Sequence, residues 1–162
     1  MENQPPFTAL RHVVSCPQHL NSNPGTIFPL LCPKREYDWI ETWKGQIIYS
    51  ESGYAEPDCI FSTGLPGGGE EIWTVDRYEK NELIQFIRFT PSRVVRYCIT
   101  LTGNNDGTTE ALWEQTITAL NEEGNLYVRN FSDDDYRQLI HSLEKMLNHY
   151  LGTGKMLGKR EV

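Results

Sequence analysis

The chain has 162 residues, 38% of them hydrophobic and 23% charged. That balance excludes intrinsic disorder and allows one domain with its own core. A net charge of −7 argues against a nucleic-acid backbone or an anionic lipid surface as partner, since clustered Lys and Arg hold both.

The first residues, MENQPPFTALRHVV, lack a basic stretch followed by an apolar one, so no signal peptide is expected. No apolar run approaches the ~18 residues of a membrane span. Residues 1–6, with Pro5 and Pro6, read as a loose tail. Residues 7–15 carry Leu10, Val13 and Val14 and read as a first strand. Pro17, Asn21, Asn23, Pro24 and Gly25 then mark a loop. Residues 26–31 (TIFPLL) and 34–43 (KREYDWIETW) read as two short helices, the second ending by Gly45.

From Gly45 onward the pattern is β. Strands are expected at 46–50, 59–63, 71–78, 83–89, 94–102 and 108–120. Glu51-Ser52-Gly53, the glycine run at 64–69, Glu79-Lys80-Asn81-Glu82 and Pro91-Ser92 separate them. Asn104-Asn105-Asp106-Gly107 is the clearest hairpin turn, because Asn, Asp and Gly tolerate positive φ. Asn121 to Gly124 closes the last strand. A long amphipathic helix follows from Ser132. Tyr136, Leu139, Ile140, Leu143, Met146, Leu147, Tyr150 and Leu151 recur in steps of three and four. Ser132 is placed to cap it, Asp133, Asp134 and Asp135 suit its positive end, and Gly152 marks its stop. Residues 153–162 read as a second loose tail, so 1–162 is expected to be one domain.

Strands joined by short turns pair antiparallel, and a sheet of this length coils. The expected fold class is therefore α+β: about seven antiparallel strands, ordered β-α-α-β6-α, wrapped around the long C-terminal helix in a helix grip. Three stretches also resemble bacterial members of the START-like (SRPBCC) superfamily, related to the birch-pollen-allergen fold. They are IFPLLCPKREYDWIETWKGQIIYSESGYAEPDCIFST at 27–63, EEIWTVDRYEKN at 70–81 and TTEALWEQTITALNEEGN at 108–125. The resemblance spans residues 7–151. It implies a cavity between helix and sheet, but no motif places the chain among the hormone receptors or the cyclases of that superfamily.

A cavity of that kind would be lined by the inward faces of these elements. Strand alternation puts Trp73, Val75 and Arg77 on one face, with Ile84, Phe86 and Arg88, then Tyr97, Ile99 and Leu101, then Trp113, Gln115, Ile117 and Ala119 on others. The helix stripe offers Leu139, Leu143, Met146, Leu147 and Tyr150. The resemblance places the cavity entrance near the short helices, which carry Trp39 and Trp43. Candidate ligand-binding residues are thus Trp39, Trp43, Trp73, Phe86, Arg88, Tyr97, Trp113, Gln115, Leu143, Met146, Leu147 and Tyr150. The plain alternative for the apolar ones is core packing. For Arg88 it is an outward salt bridge, the favoured reading, since an inward Arg88 must meet a carboxylate or an anionic ligand.

His12, alternating with Leu10 and Val14, is the one candidate general base, without a nucleophile beside it. His19, His141 and His149 are scattered, so no metal or other cofactor is expected. Glu36 reads as a solvated helix residue. Cys16, Cys32, Cys59 and Cys98 form no C-x-x-C pair and suit reduced, mostly buried thiols in the cytoplasm. Neither G-L-P-G-G-G-E nor G-T-G-K-M has the residues or position of a phosphate loop.

The leading expectation is a protein that holds a small, largely apolar or amphipathic molecule. The alternatives are a cyclase/aromatase- or hydrolase-like enzyme and a co-chaperone-like interaction module. Monomer and homodimer both stay open.

Overall fold

The computed structural model describes residues 6–158; of the tails expected at 1–6 and 153–162, residues 1–5 and 159–162 lie outside the described residues, and Thr153 belongs to the last helix. Strand β1, Arg11–Leu20, is followed by a four-residue helix α1, Pro24–Ile27, and 3-10 turns at Phe28–Leu31 and Glu36–Asp38. Six strands come next: β2 Gln46–Tyr49, β3 Ile60–Gly64, β4 Glu70–Glu79, β5 Leu83–Phe89, β6 Arg93–Gly103 and β7 Thr109–Ala119. Helices α2, Glu122–Asn130, and α3, Asp133–Thr153, complete the order.

The seven strands form one antiparallel sheet in the order β1-β7-β6-β5-β4-β3-β2. Chain-ordered hairpins build β2 to β7, and β1 closes onto β7 from the far end of the sequence. Strand β1 runs five residues past the expected end and passes through Pro17. An edge strand tolerates proline because one side of it needs no N–H. The second short helix expected at 34–43 contracts to Glu36–Asp38.

Register decides what faces the helix. Phe86 pairs with Tyr97, Tyr97 with Gln115, and Gln115 with Val14, so these four side chains stand in one row. Trp73 pairs with Arg88 in the next row. A bulge between Val75 and Arg77 breaks the alternation of β4. Arg77, expected beside Trp73 and Val75, is instead exposed and paired with Glu79.

Helix α3 begins where expected: Ser132 accepts from the Asp135 N–H, and three aspartates occupy the first turn. It ends later than expected. Gly152 lies inside the helix, and Gly154, at φ 67°, makes the left-handed stop. Tyr136, Ile140 and Leu147 are buried on its inner face.

Helix α2 has no counterpart among the sequence expectations. Asn121, read as a turn, caps it by accepting from Gly124 N–H, and Glu122 and Glu123 fill its positive end. Gly124 is obligatory there: an added Cβ would meet the Ser92 carbonyl oxygen at 2.0 Å. Buried Asn125 accepts from Leu10 N–H at 2.8 Å and donates to Thr8 O at 3.1 Å, which fixes the chain entering β1.

Candidate functional site

A cavity of about 470 Å³ lies between α3 and the concave face of the sheet. Strands β4 to β7 contribute Glu71, Trp73, Phe86, Arg88, Tyr97, Trp113 and Gln115. Helix α3 contributes Leu139, Ser142, Leu143 and Met146. Glu36, Ile40, Trp43 and the Leu65-Pro66 turn close one end. Toward the other end an outer cleft of about 620 Å³, reaching α2 and the start of α3, shares Arg88, Arg93, Gln115, Tyr127 and Leu139 with it.

The wall is aromatic. Trp73 stacks on Phe61 at 5.2 Å, and Phe86 meets both edge-on at 5.8 and 5.7 Å. Tyr97 bridges from Trp73, at 6.1 Å, to Trp113, at 5.8 Å. Such contacts hold the rings rigid.

Arg88 points into this cavity, which overturns its outward reading. Cross-strand pairing with Trp73 sets the direction. Its side chain is only 16% exposed and that of Glu71 6%. Nη1 donates to Glu71 Oε2 at 3.3 Å and Nη2 to Gln115 Oε1 at 2.8 Å. The guanidinium also lies over Trp73 at 4.9 Å and Tyr97 at 5.6 Å. Arg88 Nε, Glu71 Oε1, Arg93 Nε and Trp113 Nε1 are buried without a hydrogen-bond partner among the described residues.

Glu36 also departs from expectation. It is half-buried and lines the cavity. Loss of water pushes its carboxyl up to about 8. Tyr97, near both Arg88 and Glu36, is held above the ordinary tyrosine range, chiefly by burial, as is Tyr136. Both hydroxyls are therefore neutral donors near neutral pH, and Tyr136 donates to Trp113 O at 3.0 Å. The raised Glu36 value has a consequence for stability. The folded state binds the Glu36 proton more tightly than the unfolded chain, so the contribution of this group to stability is fully present below the ordinary value of 4.5 and is lost as pH rises to about 8. Urea unfolding across that window should show this decline in the wild type and a shallower one in Glu36→Gln. Equal slopes would refute it.

The structure brings nine of the twelve ligand candidates to the cavity: Trp43, Trp73, Phe86, Arg88, Tyr97, Trp113, Gln115, Leu143 and Met146. Trp39, Leu147 and Tyr150 are not on its wall. Trp39 is 0% exposed and donates Nε1–H to Leu30 O at 2.9 Å, locking the short helical segment. Leu147 packs in the core, and Tyr150 packs against its margin. His12 is outside the cavity as well. Its Nε2 lies 2.6 Å from Asp133 Oδ1 and its ring 5.4 Å from Phe131, so it ties β1 to the start of α3. Polar and aromatic cavity residues unforeseen in the sequence include Glu36, Phe61, Glu71, Arg93 and Tyr127. Alternation along β4 would have exposed Glu71, two residues before Trp73 on the same face.

All four cysteines are free, and Cys16, Cys32 and Cys59 are buried. Among the described residues no group of three His, Cys, Asp or Glu side chains is arranged to hold a metal ion, and no helix is long and apolar enough to cross a membrane.

No protein-family model matches the sequence, and no curated protein matches it. Solved structures do match. A norcoclaurine synthase mutant from Thalictrum, bound to a transition-state analogue, superposes with a TM-score of 0.65 at 10% identity over 90% of this chain and 99% of that one. A Mesorhizobium loti protein gives 0.63 at 16% identity, over 85% and 98%. DynU16, from the dynemicin biosynthetic locus, gives 0.60 at 15% identity, over 88% of this chain and 48% of that one. At these identities the likeness is one of fold. With its seven-stranded antiparallel sheet closed on a long C-terminal helix, the chain shares the helix-grip α+β fold of these solved structures.

Proposed function

We propose that this protein binds a small, largely apolar molecule in the cavity beneath α3. The observation that carries the reading is the cavity itself. About 470 Å³ of open space, walled by Trp73, Phe86, Tyr97 and Trp113, lies where a solid core would otherwise be. That volume is ordinary for a small-molecule site. Rigid rings lower the ordering cost of binding, and the polar groups at Arg88, Glu71 and Gln115 would orient one end of the guest. The neutral fluorophore N-phenyl-1-naphthylamine tests it. It should bind the wild-type protein, and Leu143→Trp, which fills the space from α3, should weaken binding about tenfold or more. Equal binding by the two proteins, or none by the wild type, would refute the proposal.

A second reading is favoured by one observation: Glu36, protonated up to about pH 8, and the Tyr97 hydroxyl are in the same cavity. Such a pair could move protons on a bound molecule. Its mark would be lost product formation in Glu36→Gln with ligand affinity retained.

A further inference from the structure

We infer that the guest is an amphipathic oxyanion, its charged end seated between Arg88 and Arg93 and its apolar body against the aromatic wall. The inference rests on the cavity-binding reading and names the ligand class.

Both guanidinium groups line the inner cavity and the outer cleft, so they stand where the two adjoin. Each keeps a buried Nε–H without a partner among the described residues. Arg88 spends its Nη groups on Glu71 and Gln115. Among the described residues the Arg93 side chain donates only one long bond, Nη1 to Ser92 Oγ at 3.4 Å, and its guanidinium carbon lies over the Tyr127 ring at 3.8 Å. No carboxylate pairs with Arg93 among the described residues.

The acids nearby do not balance the two cations. Glu71 is the one buried carboxylate paired here, and it serves Arg88. Glu36 is protonated at neutral pH. Glu123 and Asp135 line the outer cleft but are exposed and solvated. Two guanidiniums, each with a buried Nε–H, therefore face one buried carboxylate. An unpaired buried N–H is costly, and charge-assisted bonds to an oxyanion are the strong way to satisfy it. The position of the Arg93 guanidinium over the Tyr127 ring restrains its fork, and planar forks suit carboxylate-like groups.

Two probes of one shape separate the possibilities. The anion 8-anilinonaphthalene-1-sulfonate and neutral N-phenyl-1-naphthylamine share an anilinonaphthalene body and differ in the sulfonate. The full chain should bind the sulfonate about tenfold more tightly or better. Arg93→Met, which strands no paired carboxylate, should erase most of that preference while leaving the neutral probe bound. Leu143→Trp should weaken both. Neutral binding without an anion preference overturns this inference and leaves the cavity reading standing. A preference that survives Arg93→Met, or sulfonate binding that Leu143→Trp leaves undiminished, belongs elsewhere on the protein and also overturns it. Binding of neither probe removes the cavity reading itself.

Discussion

Arg88→Met is expected to lower the unfolding free energy by on the order of 3–5 kcal/mol, the usual cost of stranding one partner of a buried ion pair. The loss comes less from the missing attraction than from what stays behind. Glu71 is 6% exposed, and one of its oxygens already lacks a partner. Without Arg88 both buried carboxylate oxygens would lack a partner, and Gln115 would lose its 2.8 Å donor. Methionine keeps most of the arginine stem, so contact with Trp73 is largely preserved. The double variant Arg88→Met/Glu71→Gln removes the stranded charge and should recover more than half of the loss. Urea unfolding of the wild type, the single variant and the double variant would measure it. A double variant no more stable than the single one would show that the pair is not coupled as described.

Leu147→Ala should cost about 2–5 kcal/mol, whereas Leu139→Ala should change stability by no more than about 0.5 kcal/mol. The two residues lie on the same helix and belong to the same apolar stripe in the sequence. Leu147 is 0% exposed in the core, and alanine would leave a hole that rigid neighbours cannot fill. Leu139 is 53% exposed and lines the opening shared by the cavity and the outer cleft. It has little burial to lose, but its removal would widen the way in. Chemical denaturation separates the two, and a comparable loss at both positions would contradict the assignment of Leu139 to the opening.

That contrast shows where reading the chain stops. Periodicity in α3 reports a stripe wider than the surface that buries it. Which members pack and which border open space depends on how far the sheet curves away beneath them. Trp39 and Trp43 pose the same problem four residues apart: one is sealed by a hydrogen bond to Leu30, the other lines the cavity while bonding Pro33 O at 2.7 Å. The bulge in β4 turned Arg77 outward, a displacement of one residue that alternation cannot foresee. Helix α2 was hidden because Asn-Glu-Glu-Gly reads equally as a turn, and only its docking against Ser92 makes it a helix in this fold.

By itself the sequence determined the fold class, the strand order along the chain, the start of α3 and most of the inward-facing rows. Those features follow from local periodicity and turn chemistry, which each segment carries wherever it sits. Tertiary structure alone decided the charge inside the cavity. Arg88 turns inward because its register sets it beside Trp73, and Glu71, Arg93 and Tyr127 join it from β4, β6 and α2. Glu36 becomes a protonated acid because elements distant in sequence strip its water. Burial and pairing are properties of the surroundings, and the surroundings exist only once the sheet has closed on the helix.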